Sequence, residues 1–473
     1  MIAGPWLTTV RGEGDVYRVA AMTSTSRLES AAHATAEQIA EKLARLIQCR
    51  TVSRPNREEE DRAEFTKHVS LLNEIFPSIA AAVEQSVVGI TGQLWHWKGQ
   101  SDAKPLVLMA HQDVVPVESE EDWDFPPFDG AIANGRIHGR GVLDDKGDLT
   151  CILQAAEELA KSGFTPGQDV YFFFGDSEET AGPTATEAVE ALRARGVKPW
   201  IVLDEGGAVA HEAFPGVATP LAVIGVSEKG LMDLLLEAED AGGHASAPPS
   251  FGAVQRIARA ITRLQRKPFP ASLHPVTKTM FKRLGAHTPG IKGRLLESLA
   301  MPGRLPGEVL ARVGSEPAAL VRTTVAATEL EGSDGTNVLA RRAAVTLNIR
   351  ISVTESVAAT IEGIRKRIAD PKIKHSVLAA SEPSPISPVD CEQFALIESC
   401  IKDSHPEALP VPYIMMAATD SRFFAGISEH VYRFAPLAMD KQQRGAIHGT
   451  NESVAIEELA KGVRFYQQLL TSF

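Results

Sequence analysis

The sequence is short of cysteine, of positive charge and of long apolar runs, and each shortage removes a class of protein. Four cysteines in 473 residues (Cys49, Cys151, Cys391, Cys400) are too dispersed for a disulfide scaffold, and no Cys-x-x-Cys pair offers a thiolate metal site. Any bound metal therefore takes nitrogen and oxygen ligands. With 48 Lys and Arg against 60 Asp and Glu, the net charge of −12 disfavours nucleic acid or an anionic membrane as a partner. No stretch of 18 apolar residues occurs, and the first 35 residues lack the basic start and apolar run of a signal peptide, so the expected location is the cytoplasm.

What is present suffices for a large core, since 44% of the residues are hydrophobic. Single cores stop growing near roughly 250 to 300 residues, so two domains are expected. Residues 1–35 read as a disordered leader, with Met22 as an alternative start. Helical spacing follows at Ile39, Leu43, Leu46 and Ile47, and again at Phe65, Val69, Leu72 and Ile75. Apolar runs at Leu106–Ala110, Val170–Phe174 and Ile201–Leu203 alternate with helical patterns. The expected class is thus α/β, a mostly parallel central sheet with helices on both faces.

From about residue 219 the texture becomes more β-rich, with Val223–Glu239, Val321–Thr328, Ala344–Val353 and Ile373–Ala379 as strands and helical patterns from Val254 and Val357. A β-α-β-β-α-β order predicts an inserted ferredoxin-like α+β domain over 219–380. Pro268 to Pro317 forms a basic elaboration within it. The expected catalytic domain is then split into 36–218 and 381–473, its second part closing on a helix from Glu452 to Leu469.

Polar chemistry gathers just past the apolar runs, where an open α/β sheet holds its ligands. His111 stands two residues from Asp113, a spacing at which a carboxylate orients a metal-bound imidazole. Asp144 and Asp145 are adjacent in a glycine-bounded loop opening a helix, where like charges need a compensating cation or act as helix caps. Asp176-Ser177-Glu178-Glu179 follows the Phe-rich run, Asp204-Glu205-Gly206-Gly207 the next, and His448-Gly449-Thr450-Asn451-Glu452 precedes the last helix. Each segment alone also fits a cap or a solvated loop. Two histidines with Asp144, Glu179 and Asp204 supply five ligands for a pair of Zn²⁺ ions, and a neighbouring glutamate is free to act as a base.

Together these segments, with Trp123-Asp124-Phe125-Pro126-Pro127-Phe128 and Val431-Tyr432-Arg433-Phe434, resemble the co-catalytic zinc family of carboxypeptidase S, glutamate carboxypeptidase, aminoacylase and carnosinase-type dipeptidases, closest to the branch of carboxypeptidase S and the N-acyl amino acid hydrolases. The resemblance runs from residue 36 to 473. It implies two Zn²⁺ per subunit, with Co²⁺ or Mn²⁺ as substitutes in vitro: His111 and Asp204 on one ion, Glu179 and His448 on the other, and Asp144 bridging across a cis bond to Asp145. Asp113 orients His111, and Glu178 is the general base for a metal-bridging hydroxide. His244, in Gly242-Gly243-His244, and Asn337 stabilise the oxyanion, His244 by reaching into a partner subunit, and Arg350 and Arg422 hold the substrate carboxylate. Where the family has a His-Asp pair before its two glutamates, this chain has Asp176 and Ser177, and where it favours glycine near 418 the chain has Ala418. Arg433 is expected at a sheet-edge salt bridge.

The implied reaction is cleavage of the amide or peptide bond beside a free terminal carboxylate, by a metallocarboxypeptidase or dipeptidase. The alternative is an N-acyl amino acid amidohydrolase, and the reading of another class is a non-enzymatic binding module. The implied partners are a small peptide or N-acyl amino acid and a second copy joined through the inserted domain.

Overall fold

The computed structural model describes residues 33–214 and 217–473. The leader expected over 1–35 lies, but for its last three residues, outside them, as does Met22. From Thr35 onward the chain forms one compact unit.

Seven strands of the large sheet come first: β1 (Val83–Val88), β2 (Gly92–Trp97), β3 (Ser101–His111), β4 (Gln168–Gly175), β5 (Ile201–Asp204), β6 (Ala208–Ala210) and β7 (Leu221–Glu228). The chain then leaves for a second sheet of β8 (Gly230–Glu239), β9 (Thr324–Glu331), β10 (Arg342–Ile351) and β11 (Ile373–Ser381), and returns for β12 (Leu409–Met415), β13 (Val431–Arg433) and β14 (Ala438–Met439). In the large sheet the order is β1-β2-β4-β3-β5-β13-β7-β6-β14, with β12 on β7. Its centre, β4-β3-β5-β13, is parallel as the alternating pattern predicts. Antiparallel pairs on both flanks make the whole sheet mixed around that parallel centre. The inner stretches of β3, β4 and β5 are apolar because helices cover both faces: Leu106 to Ala110, Val170 to Phe174 and Ile201 to Leu203 are all buried.

The helix over Lys146–Lys161 (α1) lies against β3 and is nearly encased by its neighbours. Lys146, at its first turn, is wholly buried and donates to the carbonyls of Leu46 and Cys49 at 3.0 and 2.7 Å, tying off the end of the helix Ala36–Ile47. At the far side Tyr466 donates to the Asp148 carboxylate from the last helix, α4 (Ile456–Thr471).

The second sheet has the order β9-β10-β8-β11, antiparallel throughout, and two helices, α2 (Ala253–Arg266) and α3 (Val357–Ile368), bury Ile257, Leu264, Ile364 and Ile368 against Leu234, Leu236, Val345 and Leu347. This is the expected ferredoxin-like arrangement. The basic elaboration folds as helices Pro275–His287, Gly290–Leu299, Leu305–Val313 and Ser315–Val321. The change of sequence texture at 219 precedes the change of sheet, because β7 pairs with β12, β13 and β6 and the chain crosses only at Lys229. Gly225 permits this packing: a Cβ there would meet Met415 Cγ at 2.7 Å and Arg433 Cβ at 2.9 Å. Arg433 is accordingly not at an edge. Its strand runs between β5 and β7, and it is fully buried against Glu228.

Candidate metal centre and carboxylate clamp

Parallel strands end on one side of a sheet, so the residues that follow β3, β4 and β5 converge there. His111 closes β3 and is 2% exposed. Its Nε2 lies 2.8 Å from Asp144 Oδ1, and its Nδ1 lies 2.9 Å from the main-chain oxygen of Asp113 and 3.6 Å from that residue's carboxylate. The Asp113 carboxylate also accepts the N–H groups of Glu178 and Glu179 at 3.2 Å each, so it shapes the turn that presents both glutamates. His448 Nε2 approaches Asp144 Oδ2 at 3.0 Å and Glu179 Oε2 at 2.9 Å.

One ligand atom from each of His111, Asp144 and Glu179 falls within 4.8 Å of the others, a spacing that suits a single divalent ion. Glu179 Oε1 and Asp145 Oδ1 are buried without a hydrogen-bond partner, and buried carboxylate oxygens are normally satisfied. An imidazole and carboxylates with an orphaned oxygen fit zinc or a similar divalent ion. Asp204 ends β5 and accepts the Ser421 N–H at 2.9 Å.

The electrostatics also call for a cation. Burial, with neighbouring acids adding to it, pushes the carboxyls of Glu178, Glu205 and Asp145 well above the ordinary range, and Asp420 up to about 8. Burial works against protonation of His111, but its bonds to Asp113 and Asp144 outweigh it and raise the imidazole well above its usual value. His448 is raised to about 10 by Asp144 and Glu179. A bound divalent ion acts on all of these groups in the opposite sense, favouring carboxylate and neutral imidazole.

Two supports were not legible as such. Glu452, fully buried, accepts the N–H groups of Gly141, Leu143 and Asp144 and pairs with Arg140 at 2.7 Å, so it builds the loop that carries Asp144. Gly141, at φ +92°, turns its N–H toward that carboxylate. The sequence signal was an acid four residues beyond His448, read there as the start of the last helix. That helix begins at Ile456, because Ser453–Ala455 pair with Arg136–His138. Asp145 stands at the first cap of α1 but does not cap it; its carboxylate accepts the His111 N–H at 3.1 Å. The bond from Asp144 to Asp145 is cis, as the resemblance implies. At the departure from the family pattern, the Asp176 carboxylate accepts Thr91 N–H and Oγ1 at 2.8 and 2.7 Å and pairs with Arg57 at 3.0 Å.

Arg350 stands on β10 and Arg422 after β12, one from each sheet, within reach of each other's charge. The Arg350 guanidinium is lowered by burial; Asp233 pulls it back, and the positive charge of Arg422 adds a smaller push downward. Arg422 Nε is buried with no partner. His244 and Asn337 also meet, on the short pairing of Gly243–His244 with Val338–Leu339, where Ala245 N–H donates to the Asn337 carbonyl at 3.0 Å. Both residues are exposed or nearly so, and no hydrogen bond or ion pair among the described residues joins them to the metal cluster.

The sheet, its four-stranded insert and a buried His, Asp and Glu cluster define a metal-dependent hydrolase. The family is equally clear: the chain belongs to peptidase family M20/M25/M40, whose model matches residues 107–472. It is 34% identical over 436 residues to mouse N-fatty-acyl-amino acid synthase/hydrolase PM20D1, covering 90% of this chain and 86% of that protein. It is 30% identical over 442 residues to the probable carboxypeptidase S-like 2 of Dictyostelium discoideum, covering 92% and 84%. Human carnosine dipeptidase 1 has the same fold, with a TM-score of 0.65 at 15% identity over 92% of this chain and 96% of that one. The fold also matches the metallo-carboxypeptidase Sso-CP2 of Sulfolobus solfataricus, with a TM-score of 0.64 at 16% identity over 91% and 98%. No helix among the described residues is long and apolar enough to cross a membrane.

Proposed function

We propose that this enzyme hydrolyses the amide bond of N-acyl amino acids. The observation that carries the reading is the pair Arg350 and Arg422, one from each sheet: the charge of Arg422 bears on Arg350 and on Asp420 of the acid-rich site, and its buried Nε–H is unspent. Such a pair awaits a carboxylate, which an arginine fork holds with charge-assisted bonds. The similarity to an N-fatty-acyl-amino acid synthase/hydrolase over most of both chains favours an acyl group over a peptidyl group on the scissile nitrogen. Peptide cleavage beside a terminal carboxylate is the second reading, favoured by the carboxypeptidase S-like relative.

His111, Asp144, Glu179, Asp204 and His448 would hold two zinc ions, with Co²⁺ or Mn²⁺ as substitutes, and the ions supply Lewis acidity toward the scissile carbonyl and the attacking water. Asp113 holds the turn in which Glu178 stands, so the Glu178 carboxylate takes the proton of that water and returns it to the leaving nitrogen. Arg350 and Arg422 fix the substrate by its carboxylate. His244 and Asn337, exposed on the insert, complete the oxyanion site of a second subunit. Strand β9 suits such a dimer, being an edge strand with six of its eight residues exposed.

The test is Arg422→Ala assayed on N-acyl amino acids and the matching C-terminal amides, alongside a panel of N-blocked dipeptides. Loss of one charge-assisted bond of about 1.5 to 3 kcal/mol lowers kcat/KM on free acids roughly tenfold to a few hundredfold, with little effect on amides. Equal proportional loss on both would remove the carboxylate reading. Faster turnover of dipeptides than of every acyl chain length would install the second.

A further inference from the structure

The two arginines of the clamp belong to different sheets, so something must set the distance between them. The chain crosses between the sheets at 228–230 and 381–384, and there the two crossings are laced together. Glu228 N–H donates to Ser384 Oγ at 2.8 Å, Ser384 N–H returns to the Glu228 carbonyl at 3.1 Å, and Ser227 Oγ donates to the Ser384 carbonyl at 2.8 Å. The Glu228 side chain points away from the insert. Its Oε1 accepts Arg433 Nε at 2.6 Å and Thr419 Oγ1 at 2.8 Å, with Ser421 Oγ at 3.5 Å, and its Oε2 accepts Thr419 N–H at 3.1 Å. Glu228, Arg433, Thr419 and Ser421 are all at most 2% exposed.

On one side of this node, Thr419 and Ser421 open the short helical turn that bears Arg422. On the other, β8 starts two residues past Glu228, and its Leu231 lies opposite Arg350 in register. One carboxylate therefore links the two halves of the clamp. A buried acid is a costly way to join a hinge to a loop, and three hydroxyl and amide donors plus a guanidinium exceed what anchoring Arg433 alone requires.

We propose that Glu228 is a positioning residue for substrate-carboxylate recognition, holding the Thr419–Arg422 turn at a fixed distance from Arg350 across the crossing between the two sheets. This rests on the reading of Arg350 and Arg422 as a carboxylate clamp. Glu228 touches no substrate. Its effect passes through Arg422, so its removal costs free-acid substrates and spares amides.

The experiment uses the full chain at saturating zinc, with Glu228→Gln and Thr419→Val alone and each combined with Arg422→Ala. Glutamine turns one acceptor into a donor facing Thr419 or Arg433, whereas valine removes only the Thr419 hydroxyl and leaves the buried ion pair whole. The expected result is a fall of tenfold or more in kcat/KM on N-acyl amino acids, carried by KM, for Glu228→Gln and a smaller fall in the same direction for Thr419→Val. Amides should change less than twofold, and neither substitution should lower the acid-to-amide ratio further once Arg422 is alanine. Equal loss on acids and amides, or full additivity with Arg422→Ala, overturns the proposal. If Glu228→Gln does not fold, Thr419→Val decides alone. If Arg422→Ala itself fails to separate acids from amides, it is the clamp that falls, a result distinct from a working clamp indifferent to Glu228.

Discussion

Glutamine at Glu452 tests whether the metal site is built by its ligands or by what lies behind them. The carboxylate takes three main-chain N–H groups from Gly141 to Asp144 and the Arg140 guanidinium, with both partners of the ion pair buried. An amide keeps the size but places a donor against Arg140 or against the loop. Leaving one member of a buried pair uncompensated costs about 3 to 5 kcal/mol. At roughly 2.1 cal/mol/K per residue, a unit of about 440 residues that unfolds together has an unfolding entropy near 0.9 kcal/mol/K, so the transition falls by about 3 to 5 °C.

A second effect separates scaffold from site. Outer supports of metal ligands typically change affinity by about 10 to 100-fold, and the stabilisation that metal adds to the folded state shrinks with it by about 1.4 to 2.7 kcal/mol. Calorimetry of Glu452→Gln with and without zinc should therefore show a larger fall in the metal-loaded protein, by a further 1.5 to 3 °C or so, and competition with a chromophoric chelator should show the weaker affinity. The same fall in both states, with zinc affinity unchanged, would mean that Glu452 supports the fold without shaping the loop of Asp144.

Three other outcomes are expected. Glu178→Gln should lower kcat by about 10² to 10⁴-fold while zinc content per subunit stays the same; retained turnover would exclude it as the base. Inactive Glu178→Ala and His244→Ala subunits, mixed and re-annealed, should recover part of the activity, and a fully active monomer would exclude His244 from a neighbouring site. Burial lowers Lys229 to about 8, with the charge of Arg350 adding to it. Between about pH 8 and 10.5 the unfolded chain holds a proton that the folded one has lost, so stability rises with pH across that window, by about 3 kcal/mol for the full shift. Lys229→Met should flatten this rise in urea titrations, and unchanged slopes would refute it.

The parallel strands β3, β4 and β5 were legible because each apolar run is followed by a histidine or an acid, and burial on both faces leaves no alternation to confuse the reading. The ferredoxin-like insert was legible for a related reason: its helices show a clear period between strands of eight to ten residues. What escaped depends on pairing rather than pattern. Strand β7 reads like the strand that follows it, and only its pairing with the short β6 before it and with β12 and β13 far later in the chain places it in the large sheet. Ala208–Ala210 and Ala438–Met439 are too short to carry a period. Glu228 and Glu452 reach side-chain partners 191 to 312 residues away, and nothing near an acid in sequence announces so distant a duty. His111 and Glu179 were found because their neighbours share their chemistry. Their supports were missed because theirs do not.

The insertion between β7 and β12 also bears on how the chain is made. All four strands of the smaller sheet lie between Gly230 and Ser381, so that sheet has every partner it needs once the segment emerges. Strand β5 has no such fortune. Val202 lies beside Val431, synthesised about 230 residues later, which at about 5 to 20 residues per second is a wait of roughly 10 to 45 s. Throughout that interval the apolar edge of Ile201, Val202 and Leu203 is bare on the ribosome, a template for wrong pairing until the last fifth of the protein arrives to cover it. Yield in a cell should therefore depend on chaperones that hold the growing chain, even where the finished enzyme is stable.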